Sequence, residues 1–187
     1  MTTPVKSCEA FAPATVANVS VGYDNLGFAL NTIGDRVRVT RTDDKEVTIS
    51  SIAYESYLDE SNVGTLPTDP LQNTASIGLL KFIKEQRLSF GFDLEITKGI
   101  PIGSGLGGSA ASSVAAIVAA NGLLQNPLEK KDLLVYALEG EALATGAHHA
   151  DNVGPCLFGG MTLTPAGSDS IVHIPFPKII KVASVFP

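Results

Sequence analysis

The sequence predicts a mixed α/β (α+β) fold, and three patterns lead to it. Residues 35–52, DRVRVTRTDDKEVTISSI, alternate apolar and polar positions on either side of a Thr-Asp-Asp-Lys turn, the period of half-buried strands. From Thr74 the spacing of apolar residues changes to that of a helix. A second alternating run, FDLEIT at 92–97, then leads straight into PIGSGLGGSAASS at 101–113, a glycine-rich connection that opens onto an alanine-rich apolar stretch.

Taken in order, 35–52 reads as a hairpin and the 60s as a polar loop ending in LPTDP. ASIGLLKFIKEQR sets Ile77, Leu80, Phe82 and Ile83 on or near one face of a first helix. After the strand at 92–97 and its glycine loop, SAASSVAAIVAANGLL is apolar almost all round, so this second helix is buried, with small residues that allow close packing. Asn126 and Pro127 supply an N-cap and a first-turn proline for a third helix, LEKKDLLVYALEGEALATG, ending near Gly146. LFGGMTLT and SIVHIP read as strands, and IIKVASVF as one more at the very end. A buried strand-like run with nothing after it suggests that the chain stops where a second domain should begin. The expected division is one domain at 1–165 and the start of a truncated second domain at 166–187.

At 187 residues and 44 % hydrophobic content the chain can bury a full core. Thirteen Lys and Arg against 19 Asp and Glu give a formal net charge of −6, which speaks against a broad basic surface for nucleic acid or acidic membrane. Two cysteines cannot make a disulfide framework; Cys8 and Cys156 read as reduced thiols, with Cys156 in the core. The N-terminus lacks the long apolar segment of a secretory signal, and the apolar run at 114–124 is too short for a bilayer. The expectation is a cytoplasmic protein, or a plastid one in a plant although no transit peptide is seen, with no nucleic-acid or membrane partner.

Four glycines within six residues, Gly103, Gly105, Gly107 and Gly108, are costly to order unless the bare backbone has a use. The free N–H groups and dipole of a helix N-terminus favour a phosphate, so the loop is a candidate anion site. Gly103, Gly105 and Gly108 match G-x-G-x-x-G, but Asp and Glu are absent from 104–128, where a dinucleotide fold needs its acidic residue. The Walker pattern fails as well, since no Gly-Lys-Ser/Thr follows.

Three stretches in order, PATVANVSVGYDNLGFAL (13–30), PIGSGLGGSAASS (101–113) and GAHHADNVGPCLFGG (146–160), resemble the GHMP small-molecule kinases, and among them the branch that phosphorylates L-homoserine. The resemblance implies a ribosomal-protein-S5-domain-2-like N-terminal domain followed by a ferredoxin-like C-terminal domain, mostly absent here. It implies ATP as phosphoryl donor, Mg2+ as cofactor, a small-molecule acceptor and a place in threonine biosynthesis. A homodimer of the full-length protein is a further expectation. Acceptors of the mevalonate pathway, sugars, or a nucleotide-binding module without catalysis are the alternative readings.

In the residues, the resemblance implies that Pro101, Gly103, Ser104, Gly105, Leu106, Gly107, Gly108, Ser109 and Ala110 wrap the nucleotide phosphates and that Asn73 lies near the adenine. Lys98 either reaches a phosphate or is a solvated side chain. Of the two carboxylates Glu139 and Glu141 on the third helix, the family's interval from Asn152 selects Glu141 for the metal, with Ser109 as partner. Many relatives carry a serine where Gly108 stands, so Ser109 or a metal-bound water takes over that role. Asn18, Asp24, Asn25, His149 and Asn152 form the acceptor site, while His148 reads as loop. Asn152 occupies the place where several sister kinases have Asp. An amide orients a hydroxyl but is no base at neutral pH, so Asp24 and Asp151 remain the candidate bases beside Asn152 for direct transfer.

Overall fold

The computed structural model describes residues 5–58, 65–165, 170–175 and 181–182. Among these, six strands form one sheet, three of the four helices pack against it, and the remaining helix packs chiefly on those three. The strands are β1 (Ser7–Val16), β2 (Leu26–Thr42), β3 (Val47–Tyr54), β4 (Gly91–Lys98), β5 (Met161–Leu163) and β6 (Val172–Ile174). The helices are α1 (Thr74–Glu85), α2 (Gly108–Asn121), α3 (Lys130–Thr145) and α4 (Ala150–Phe158). The order β3-β4-β2-β5-β6, with β1 along the opposite side of β2, makes the 17-residue β2 the spine of the sheet.

β2 and β3 flank a turn, as the alternation predicts, but they are not a hairpin. β4 lies between them, antiparallel to β2 and parallel to β3. The pattern of 35–52 fixes which face each strand buries and says nothing about its neighbour. β4 is the most apolar of the three, with Phe92, Leu94 and Ile96 fully buried, and it takes the central place.

α1 begins where expected, with Asn73 as N-cap accepting from the Ala75 N–H. Its buried face is Ala75, Leu79, Phe82 and Ile83, whereas Ile77 and Leu80 are half-buried at the rim. α2 is buried around its circumference and lies against β1 and β2, with α1 and α3 flanking it. α3 starts at Lys130, behind Glu129, and not at Pro127. The carboxamide of Asn121 accepts from the Leu128 N–H at 2.8 Å and donates to the Leu128 carbonyl at 3.0 Å, which holds 128 outside the helix and moves its start downstream. Gly146, at φ 82°, ends α3 as expected.

Leu157 and Phe158 do not begin a strand; they end α4, a nine-residue helix with Pro155 inside it. Burial of Val153, Cys156 and Leu157 against β1, β2 and β5 holds this proline-bearing segment helical. The strand at SIVHIP is present as β6, paired with β5, and most of the expected IIKVASVF strand lies outside the described residues. The exposed face of the sheet carries Arg38 paired with Glu9 and the Thr48 hydroxyl donating to Asp93. No helix among the described residues is long and apolar enough to cross a membrane.

Candidate phosphate-binding cleft

The glycine loop and the start of α2 form the wall of a cavity of about 520 Å³ between the end of β4, the N-terminus of α1 and the last turns of α3. Gly103, Gly105 and Gly107 have φ of 76°, 72° and 69°, the left-handed region open to glycine. Gly107 is the N-cap of α2 and offers no side-chain acceptor. The first intrahelical bond runs from Ala111 N–H to the Gly107 carbonyl at 2.9 Å. Among the described residues no protein acceptor meets the N–H groups of Gly108, Ser109 and Ala110, so the positive end of the helix is left for an anion.

The ground beneath the loop is a buried ion pair that the sequence reading missed. Asp35, 0 % exposed, accepts from Lys98 Nζ, from the N–H groups of Gly99 and Ile100 at 3.0 and 3.2 Å, and from Ser112 Oγ at 2.6 Å. Lys98, 4 % exposed, is therefore not a solvated side chain. Its ammonium also donates to Ser112 Oγ at 2.8 Å and to the Gly108 carbonyl at 3.1 Å, so all three hydrogens have protein acceptors. Lys98 borders the cavity but acts by tying β2, β4 and the first turn of α2 together. Removing either partner of such a pair costs about 3–5 kcal/mol, because the other is left buried and uncompensated.

Glu141 faces the start of α2 across the cavity, 4 % exposed, and accepts from Ser109 Oγ at 3.2 Å. Burial pushes its carboxyl above the usual range, assisted by the charge of Asp151 and opposed by the Ser109 hydrogen bond and His149. Glu139, the other candidate, is bound to Lys81 at 2.6 Å with His148 at 3.7 Å, and the lysine holds it below the usual carboxylate range. A carboxylate and a hydroxyl side by side at the start of α2 are hard oxygen donors of the kind Mg2+ takes. Glu141 and Ser109 are thus donors of the type that the resemblance implies for Mg2+.

Asn152, in the first turn of α4, borders the same cavity, and its Oδ1 accepts from Thr15 Oγ1 at 2.8 Å. Asp151 is buried outside the cavity lining, and its carboxylate accepts from the Asn152 N–H at 3.0 Å. Burial raises its carboxyl, with the charge of Asp24 adding to the effect and the Asn152 N–H opposing it. Asp24 is 3.6 Å from His149 Nδ1 in the turn between β1 and β2. Asn18 and Asn25 hold that turn: Asn18 Oδ1 accepts from the Asp24 N–H at 2.9 Å, and Asn25 Nδ2 donates to the Tyr23 carbonyl at 2.6 Å. Asn18, Ser20 and Asp24 all have positive φ.

The cavity therefore brings together Asn73, Pro101, Gly103, Ser104, Gly105, Gly107, Gly108, Ser109, Glu141 and Asn152. Leu106 and Ala110 are buried behind the wall, where the Leu106 carbonyl accepts from the Thr15 N–H at 3.0 Å. The amide of Asn73 is engaged in capping α1 and in donating to the Pro67 carbonyl at 2.7 Å, so it shapes the cavity edge. Asn18, Asp24, Asn25 and His149 lie outside the lining, in or beside the β1–β2 turn.

Residues 74–160 match the family model described as GHMP kinases N terminal domain. Over 154 residues the chain is 49 % identical to a homoserine kinase of Xylella fastidiosa, covering 82 % of this chain and 46 % of that protein. Over 183 residues it is 46 % identical to a homoserine kinase of Xanthomonas campestris pv. campestris, covering 98 % and 54 %. The crystal structure of a homoserine kinase from Cytophaga hutchinsonii superposes with a TM-score of 0.83 at 46 % identity, over 95 % of this chain and 54 % of that one. A galactokinase of Lactococcus lactis, 19 % identical over 90 % of this chain and 47 % of that one, shares the fold at a TM-score of 0.65. The chain spans about half the length of the curated relatives it matches.

Proposed function

We propose, from the match of residues 74–160 to the GHMP kinases N terminal domain, that the protein transfers the γ-phosphoryl group of ATP to the hydroxyl of L-homoserine, giving O-phospho-L-homoserine for threonine biosynthesis in the cytoplasm. The observation that carries the reading is that Asn152 borders the same cavity as the uncapped N-terminus of α2. A group able to orient a hydroxyl thus lies directly beside a site suited to the phosphates. Identities of 46–49 % to proteins named homoserine kinase favour homoserine over the mevalonate and sugar acceptors. Residues 1–165 are read as the ATP-binding domain and 166–187 as the beginning of the C-terminal one.

In this scheme the loop N–H groups and the α2 dipole neutralise phosphate oxygens. The cation would be held by Glu141 and Ser109, and when bound it would draw charge from the phosphates. Asn152 positions the acceptor hydroxyl. A bond forms from the hydroxyl oxygen to the γ-phosphorus as the bond to the β–γ bridging oxygen breaks, ADP departs, and the hydroxyl proton passes to a phosphoryl oxygen or to water. The loose transition state of phosphoryl transfer needs little prior deprotonation, so an amide suffices where a base is dispensable.

Asn152→Ala in the full-length protein is expected to lower kcat by roughly ten- to a thousand-fold, the range spanned by misplacing a reacting group or losing one oriented hydrogen bond. ATP affinity stays nearly unchanged. Measuring kcat against pH for Asn152→Ala, Asp24→Asn and Asp151→Asn tests this. Near-normal turnover in the Asn152 variant, with collapse and loss of the acidic limb in either Asp variant, would overturn direct transfer.

A further inference from the structure

We propose that Thr15 is a positioning residue for the transfer, fixing the Asn152 carboxamide against the glycine loop so that Nδ2 is the group presented to the reacting atoms; this rests on the kinase reading above. Thr15 is 0 % exposed and makes two polar links. Its backbone N–H donates to the Leu106 carbonyl inside the loop at 3.0 Å, and its Oγ1 donates to Asn152 Oδ1 at 2.8 Å. One residue therefore touches both the segment suited to the phosphates and the group suited to the acceptor.

The local fold is shaped for this contact. Along β1 burial alternates up to Ala12 and Ala14, which face the core, and Thr15 should then face away. The pairing of β1 with β2 shifts register between Pro13 and Thr15, and Ala14 and Thr15 are both buried. Such an irregularity, with the extra residues on β2, breaks the regular ladder beside Thr15 and leaves its side chain turned inward. Gly107, the left-handed N-cap of α2, packs so closely on the pair that a Cβ there would collide with Thr15 Oγ1 and stand 2.8 Å from Asn152 Oδ1.

The chemical consequence follows from the donor. Thr15 donates to Oδ1, so the carboxamide is held in the orientation that turns its two Nδ2 hydrogens away from Thr15, and among the described residues no acceptor meets them. Asn152 then donates to the hydroxyl or phosphoryl oxygen and does not receive the hydroxyl proton. Without the Thr15 hydroxyl the amide is free to turn over, and part of the population presents the wrong face.

The test compares Thr15→Val, Thr15→Ser, Asn152→Ala and Thr15→Val/Asn152→Ala in the full-length protein. Valine keeps the shape and removes the donor. It should lower kcat by about tenfold or more, with ATP affinity within about twofold of the starting protein, while serine, which keeps the hydroxyl, retains most of the activity. The double variant should be no slower than Asn152→Ala alone, since both changes act on one interaction. A Thr15→Val enzyme with unchanged kcat, a double variant whose losses multiply, or a serine variant as impaired as valine would overturn the proposal. Melting temperatures of the same four proteins read the hydrogen bond without turnover: non-additive shifts support the contact, and additive shifts contradict it. A starting protein that phosphorylates no alcohol would refute the kinase reading, and non-additive melting shifts would then keep the contact while removing its catalytic role.

Discussion

Glu141 is held where its ionised form is disfavoured: 4 % exposed, with the Ser109 hydroxyl as its carboxylate's one hydrogen-bond partner among the described residues and Asp151 adding like charge. A carboxyl raised by burial binds its proton more tightly in the folded chain than in the unfolded one. Between the unfolded and the raised folded value the native state carries more protons, so its stability falls as pH rises through that window. Glu141→Gln removes the cost and keeps an acceptor for Ser109. The variant should melt higher than the starting protein at pH 8, by a few degrees at about 2–4 °C per kcal/mol, and the difference should shrink toward pH 4. It should also lose Mg2+-dependent turnover. A lower melting temperature for the variant at pH 8, or a gap that does not change with pH, would contradict this reading of Glu141. The pair Asp35–Lys98 was open to a closer reading of the sequence: Asp35 shares its strand face with the buried Val37 and Val39, and Lys98 shares its own with Phe92, Leu94 and Ile96. Two opposite charges on inward faces require each other, but only the pairing of β2 with β4 brings them together.

At the scale of elements, the site depends on how closely α3 approaches α2 and α1. A Cβ on Gly140 would lie 2.5 Å from Ser113 Oγ and 2.5 Å from the Thr74 carbonyl, and backbone oxygen does not yield cheaply. The bare glycine lets α3 settle at the depth that brings Glu141, the next residue, to Ser109. Gly140→Ala should destabilise the fold by about 1–3 kcal/mol through overpacking and raise the Mg2+ concentration needed for half-maximal rate. Thermal unfolding and a Mg2+ titration check this; a variant with unchanged melting temperature and Mg2+ dependence would show that α3 has slack at this contact. The composition of α2 made its burial legible, because a run with no polar face has only the core to lie in. α4 was not legible, since Gly154 and Pro155 argue against a helix locally and its helical form comes from packing against β1, β2 and β5. Strand order was hidden for a similar reason: alternation gives the buried face of β2 and β3, and the insertion of β4 between them is a long-range event.

For the molecule as a whole, the sheet and its helices bring segments far apart in sequence to one cleft: the loop after β4, the start of α2, the last turns of α3 and the first turn of α4, with the end of β1 bonded behind it. The glycine loop could be read as an anion site from composition alone, because so much bare backbone before a helix has few other uses. The setting of Asn152 could not, since it depends on Thr15, 137 residues earlier in the chain. With a net charge of −6 and the Lys98 ammonium fully engaged, a phosphate in this cleft would be met by backbone N–H groups and the α2 dipole. The most direct test is kcat/KM of the full-length protein with ATP and Mg2+ for homoserine, mevalonate and galactose, measured side by side. Homoserine should exceed both others by at least about a hundredfold, as expected of a site built to hydrogen-bond one small polar acceptor. Preference for mevalonate or galactose, or ATP binding with no phosphorylation of any of the three, would contradict it.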